Sequence, residues 1–574
     1  MGEAKKRSAA AVQEALATLG VDAIGGRVQV RWNQGEAATP FGQMAYFAEF
    51  LNLTGLYRRW IESCPLRFAS PNGSKIADVL GTLFLSVLSG HWRYAHIAAL
   101  RADAVSAAVL GMDTVVSEDT VRRALRAMEE AAGMSWLQEH LDASVLPLLS
   151  APWVLDTDVT VKPLYGKQEG ALIGYNPHKP GRPSHAYHTY QMAGLRLMLG
   201  VTVAPGNKSH ANTTLPGLIE LIEGLPGEKR PALVRGDCGQ GGEPTMVALE
   251  ARAMHYLFKL RLTKNVKRYI ERMFAIPEWA DAGQGWQGRD GNIQLTGWSR
   301  ARRIVILRRA LQGEVLLTDK QQLSLAFVEK DVPAKGYEYA VLVSDLDYEI
   351  RAIAQLYRDR GDAENAFDEL KNQWGWGGFT TQDLKRCRFT AMTVALAYNW
   401  WSLFVRLAHP QARLEAITSR PLLLSGIGRL SSHAGQAHLS ITPMHARAND
   451  ARALLNTVSE RLKAWKRTAE QLPLISVWQR VCEFIATHVT GFNWLARQNL
   501  PQLTHCTCET AWHRSAGSSV WSREGWLSQR ARHGLPPAME RMPRWMRLLR
   551  ASVCSADRSP SSVQLGTERS LGRP

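Results

Sequence analysis

At Pro152 the apolar pattern of the chain changes period, and that change sets the fold class. Before it, "IADVLGTLFLSVLSG" and "YAHIAALRADAVSAAVLG" repeat apolar residues every three or four positions and end in glycine, which predicts helices. After it come short β-type runs, "WVLDTDVTV", "HTYQMAG" and "RLMLGVTVAPG", separated by turn-rich pieces. A helical "ANTTLPGLIELIEGL", a strand "PALVRGDCG", a helix "EPTMVALEARAM" and a strand "HYLFKLRL" follow. Three consecutive strands, then strand–helix–strand alternation, predict an α/β fold with helices packed on a mixed sheet.

The 574 residues exceed what one hydrophobic core holds. The pattern divides them into a helical region at 1–150 and a first part of the sheet-bearing core at 151–264. A β-rich stretch at 265–340 lacks long helices, and its last strand is expected to rejoin the main sheet. A second core part spans 341–408, with the helix "YRDRGDAENAFDELK" and the buried helix "FTAMTVALAYNWWSLFVRL". Residues 409–498 read as mostly helical. Residues 499–574 have no sustained periodicity and predict a poorly ordered or atypical tail. His505, Cys506, Cys508 and His513 within it match no closed tetrahedral metal spacing.

Charge narrows the partner. The 69 Lys+Arg against 52 Asp+Glu give a net +17, which favours a polyanion, most often nucleic acid, because neutralising phosphates releases counterions. A basic enzyme of another kind would satisfy the same count. Arg122, Arg123 and Arg126 sit early in the capped "SEDTVRRALRAMEEAAG", a placement that suits a DNA groove as well as a solvated helix face. Seven scattered cysteines argue against a disulfide framework and for a reducing compartment. The amino terminus is not a secretory signal, and the longest apolar segments read as buried helices rather than membrane spans. A soluble, cytoplasmic, nucleoid-associated protein is expected.

Acids carry the chemistry. On a helix at about 100° per residue, Tyr357, Arg360, Glu364 and Lys371 fall on one stripe about 60° wide. Leu356, Ala363, Phe367, Leu370 and Trp374 mark the buried side, while Asp362, Asn365 and Glu369 read as solvent-facing. Arg360 and Glu364 could be no more than an i,i+4 pair. Asp156 and Asp158 share one side of a strand, and Asp237 follows a strand end in a glycine-rich turn. Carboxylates so placed can converge on divalent cations, which take oxygen ligands and share them with phosphates. Phosphodiester chemistry is the leading reading.

These residues resemble a known family. Tyr357, Arg360, Glu364 and Lys371 match the Y-x2-R-x3-E-x6-K signature of DDE transposases from bacterial insertion sequences. "DTDVTVKPLYGKQEGALIGYNPHKPGRPSH" is similar to the first-acid region of one branch, with its D-x-[ST] strand and "G.QEGA..GYN" segment, and "VRGDCG" to the second-acid block. The likeness runs from about residue 20 to 490. It implies a ribonuclease H-like catalytic core interrupted by a β-rich insertion and flanked by helical amino- and carboxy-terminal regions, the first of them DNA-binding. It further implies Asp158, Asp237 and Glu364 as ligands of Mg²⁺ (or Mn²⁺), with Asp156 the alternative first ligand. Tyr357, Arg360 and Lys371 would contact the DNA backbone beside the scissile phosphate. The implied activity is hydrolytic nicking at the element's terminal inverted repeats, followed by attack of the 3′-OH on target DNA, in a homodimer or larger assembly. Relatives with a hairpin intermediate stack a flipped base on a tryptophan; Trp286 and Trp298 lie in the insertion, and the sequence does not choose between them and a core tryptophan. His178, His185 and His188 read as loop residues, since phosphoryl transfer by hard metals needs no imidazole. A nuclease or resolvase of the same fold and a non-catalytic regulatory copy are the alternatives.

Overall fold

The computed structural model describes residues 18–31, 37–68, 73–149, 152–176, 179–208, 210–274, 276–311, 326–327, 336–443, 445–471 and 476–489. The tail expected at 499–574 and His178 lie outside the described residues.

Sixteen strands are described, in chain order. β1 (Thr18–Ala23), β2 (Gly26–Arg31) and β3 (Ala37–Thr39) precede the helical amino-terminal region. β4 (Val154–Pro163), β5 (Leu172–Ile173), β6 (Pro183–Met192), β7 (Leu197–Pro205), β8 (Leu233–Gly236) and β9 (His255–Lys259) follow the change of period at Pro152. Next come β10 (Ala280–Gly283), β11 (Trp286–Ile293), β12 (Arg302–Ala310), β13 (Ala326–Phe327) and β14 (Tyr337–Ser344), then β15 (Ile427–His433) and β16 (Gln436–Thr442).

One large sheet has the order β10-β11-β12-β14-β9-β8-β4-β6-β5, with β7 on β6 and β13 on β14. β4, β6 and β7 form the expected antiparallel run, and β4, β8 and β9 are parallel. β14 closes back antiparallel onto β9, so the strands of the β-rich stretch extend this sheet. That stretch is not free of helix: Lys264–Phe274 is helical, burying Val266 and Ile270 on one side of an otherwise charged surface. Two hairpins were also hidden within regions that read as helical. β1 pairs β2, and β15 pairs both β16 and β3, which joins residue 37 onward to the carboxy-terminal region.

The helix Leu384–Ala408 is the spine of the core. Asp383 caps it, accepting from the Arg386 amide at 2.7 Å, and most of its residues are buried on every side. Its polar groups are satisfied internally: Asn399 bonds both the amide and the carbonyl of Met198 on β7, and Trp400 and Trp401 donate to Ser144 and Ser419. A long apolar helix with such partners belongs inside a protein. Among the described residues no helix is long and apolar enough to cross a membrane.

A buried ion pair ties the sheet to the helices. Arg235 on β8 grips Asp156 on β4 through two hydrogen bonds of 2.7 Å, with both side chains 1% exposed. Its remaining nitrogen Nη1 donates to the Leu356 carbonyl at 2.5 Å. Removing one partner of such a pair strands the other charge in a medium that cannot solvate it. Asp156→Ala should therefore lower stability by about 3–5 kcal/mol, and the Asp156→Leu/Arg235→Met double variant by much less, in thermal or denaturant unfolding.

Candidate active site

Each acid reaches its place by a local rule. In the parallel β4–β8 register Asp156 faces Arg235 and Thr157 faces Gly236, and Asp158 and Asp237 are the residues that follow this last registered pair. Side chains two apart on a strand share a side. A D-x-D strand against an R-x-D strand thus makes one neutral pair deep in the sheet and one pair of acids beyond it. Asp237 is where β8 ends, its Oδ1 accepting from the Gly239 amide at 2.8 Å in the turn that follows. Asp156, which the sequence left as an alternative to Asp158, is consumed by Arg235.

Glu364 comes from the helix side, with a correction to its expected geometry. The single helix expected through Tyr357 and Lys371 is broken: one helix runs Ile350–Arg358 and the next Gly361–Asn372. At the break, the Arg360 amide bonds Tyr357 O and the Ala363 amide bonds Arg360 O, three residues back rather than four. The tightened turn falls before Gly361, a weak helix former. It leaves Arg360 as the cap residue of the second helix, buried at 5% exposure, while Glu364 is exposed. The apolar side holds as expected: Leu356, Ala363, Phe367, Leu370 and Trp374 are all buried. Glu369 departs from the expectation of a solvent residue. It is 2% exposed, pairs with Arg413, and accepts from the Ala416 amide at 2.9 Å.

Arg360 joins the strand acids to the helix acid. Its Nη2 lies 2.5 Å from Asp158 Oδ2 and its Nη1 2.9 Å from Glu364 Oε1. Burial raises the Asp158 pKa above the ordinary carboxylate range; Asp237 and Glu364 push the same way, against Arg360 and the Val159 amide. Burial likewise raises the Tyr357 phenol, with Asp237, Glu364 and Asp158 adding to the effect. Burial lowers Lys371, whose charge is supported by Asp368 and Asp158. Asp158 is thus the residue of the six whose charge reaches both Tyr357 and Lys371. An adjoining cavity of about 450 Å³ is lined by Arg235, Arg358, Asp359, Asp362 and Glu364, among others.

The donor set suits a hard divalent cation in kind, because it consists of carboxylate oxygens. A guanidinium already sits as a cation between two of them. Among the described residues, no three His, Cys, Asp or Glu side chains are drawn together as a ligand set. His185 and His188 are not loop residues. Both are fully buried on β6, bonded to Glu169 O and Thr214 Oγ1, away from any role as ligands here. Trp286 and Trp298 are partly exposed and lie against Arg309 and Arg302. The arginines of "SEDTVRRAL" turn to their own helix: Arg122 and Arg123 pair with Asp119. What the sequence reading missed is Arg235 as the partner of Asp156; its signal was the matching two-residue spacing in "DTD" and "RGD".

The family model described as Transposase DDE domain group 1 matches residues 27–464, and the chain belongs to that family. Transposases act on DNA, which makes DNA the partner. No curated protein matches the sequence. A cryo-EM structure titled piggyBac transposase synaptic complex with hairpin DNA is similar over 79% of this chain and 88% of that one, at 12% identity and a TM-score of 0.36, too distant to bear on the site.

If the three acids bind a divalent cation, Mg²⁺ or Mn²⁺ at about 100 times its Kd should stabilise the fold by about 2.7 kcal/mol, and Asp158→Asn or Asp237→Asn should lose that gain in thermal unfolding. In chelator the pH dependence has a definite sign. Asp158 keeps its proton in the folded chain above the roughly 4 at which the unfolded chain releases it, so its contribution is lost as pH rises toward neutrality. Asp158→Asn should flatten that part of the profile of unfolding temperature against pH.

Proposed function

We propose that this chain is the transposase of a bacterial insertion sequence, with Asp158, Asp237 and Glu364 as its catalytic acids. The observation that supports the reading is the β4–β8 register, whose last pair, Thr157 and Gly236, immediately precedes Asp158 and Asp237, while Arg360 bonds both Asp158 and Glu364. The strand order adds support: an antiparallel β7-β6-β4 run continued by parallel β8 and β9 is the arrangement of a ribonuclease H-like core. On this reading 265–340 is the insertion, 1–150 and 409–498 are the flanking regions, and 499–574 is a tail.

The three acids would hold Mg²⁺, or Mn²⁺ in its place, which when bound supplies activation of the attacking oxygen and stabilisation of the leaving one. Arg360 and Lys371 present positive charge to the phosphate, and the Tyr357 phenol, held neutral by its burial, donates a hydrogen bond to it. Water attacks phosphorus at the element's terminal repeat, the bond to the 3′ oxygen breaks, and a 3′-OH is left. That hydroxyl then attacks a target phosphodiester, loses its proton, and displaces the target's own 3′ oxygen. The Arg360 guanidinium, paired with Asp158 and Glu364 in the DNA-free chain, is the group that redistributes between acids and phosphate. Two ends cut and joined together need a homodimer or larger assembly.

Glu364→Gln and Asp237→Asn should each lower strand cleavage by roughly 10³-fold or more with Mg²⁺ or Mn²⁺, while leaving binding to the DNA ends flanking the gene measurable. Variants that cut like the parent would move the catalytic acids elsewhere. Cleavage with no joining of the 3′-OH to target DNA would favour a nuclease.

A further inference from the structure

The segment between β4 and β6, described at residues 164–176 and 179–182, has a motif that the site does not use, and the fold accounts for part of it. Glu169 caps the Leu384–Ala408 helix: its Oε2 accepts from the Leu384 amide at 3.0 Å and its amide donates to Gln382 O at 2.8 Å. Gly170 has φ +74°, a left-handed turn that other residues resist. Gly174 passes so close to Gly206 that a Cβ would meet its carbonyl oxygen at 1.8 Å. Asn176 is buried and accepts from the Lys179 amide at 3.0 Å. These contacts fix the shape of the loop.

Several of the other described residues are on the outside. Tyr165 is 69% exposed, Ile173 62% and Tyr175 84%. Lys167, Lys179 and Arg182 are exposed as well, and Lys179 and Arg182 lie over the Tyr165 ring at 5.1 and 4.8 Å from its centroid. Glu169 is the one acid in the segment, and it is spent on the helix cap. Among the described residues no ion pair engages Lys167, Lys179 or Arg182. Three cations and exposed aromatic rings on a braced loop match a nucleic-acid backbone, whose phosphates take the charge and whose sugars and bases take the rings.

Position selects the DNA. Pro163 ends β4 five residues beyond Asp158, which at about 3.3 Å per residue puts the loop roughly 16 Å from the acid site, or about five base pairs along a duplex. Between them the chain is continuous. The Gly361–Asn372 helix, which carries Glu364 and Lys371, leads into a segment where Lys162 donates to Gly378 O and Gln382 O receives Glu169. We propose that the described residues of this segment, 164–176 and 179–182, form a clamp on the duplex flanking the reacting phosphate, with Lys167, Lys179 and Arg182 on its backbone and Tyr175 at its groove. This rests on the transposase reading, which makes duplex DNA the ligand.

The test uses the full chain and a fluorescein-labelled duplex of arbitrary sequence about 30 base pairs long, with anisotropy followed across salt concentration in chelator. The Lys167→Gln/Lys179→Gln/Arg182→Gln variant should reduce the slope of log affinity against log salt by about 2.7, the value for three lost phosphate contacts. Affinity at physiological salt should fall at least about tenfold. Tyr175→Ala should weaken binding with the slope unchanged. A triple variant with the parental slope overturns the clamp, as does one that loses binding to phosphatidylserine vesicles while holding DNA like the parent. The slope comparison needs no cleavage, so a parent chain that cuts no DNA would sink the transposase reading separately.

Discussion

One guanidinium organises the acid site without belonging to it. Arg235 stands on β8, holds Asp156 of β4 with both ends of its fork, and reaches the Leu356 carbonyl of the helix that leads to Glu364. The three segments that carry Asp158, Asp237 and Glu364 are thereby tied at a single buried point. A planar, permanently charged fork makes such a three-way tie; a lysine ammonium could not reproduce its bidentate geometry. Two residues further along each segment, just past the last registered pair, stand the acids Asp158 and Asp237. The spacing that neutralises the interior is the spacing that leaves charge concentrated at its edge.

That concentration is costly in the free chain, and Arg360 offsets it. Burial, reinforced by Asp237 and Glu364, raises the Asp158 pKa to about 7 against the opposing pull of Arg360. The guanidinium between Asp158 and Glu364 supplies the positive charge that a phosphate-bearing, cation-bearing complex would bring by other means. The guanidinium holds Asp158 and Glu364 from the cap position between the two helices. Arg360 stands at that break as the cap residue of the second helix, with its side chain buried.

Much of this was legible in the sequence, and the misses have physical causes. The strands around Asp158 and Asp237 announced themselves by β-branched runs and a glycine turn, and the buried face of the Glu364 helix by its apolar spacing. The helix break did not, because "YRDRGDAEN" keeps helical periodicity through it and its one Gly is tolerated in many helices. The hairpin of β15 and β16 was hidden because its faces are polar and mostly exposed; only the Ala434-Gly435 turn, at φ +50° and +77°, marked it. Glu369, His185 and His188 looked like surface or loop residues because their respective partners, Arg413, the Glu169 carbonyl and Thr214, lie on other segments of the chain. Charge in a sequence signals solvent only when no distant partner exists.

The central claim is that Asp158, Asp237 and Glu364 serve a common cation. Loading the full chain with Fe²⁺ in place of Mg²⁺ and adding ascorbate and peroxide generates hydroxyl radicals at the bound ion, which cut the nearest backbone. Fragments ending near Asp158, Asp237 and Glu364 together, and suppressed together by excess Mg²⁺, are the result this account predicts. Cutting at one of these segments alone, or at sites away from all three, would contradict it.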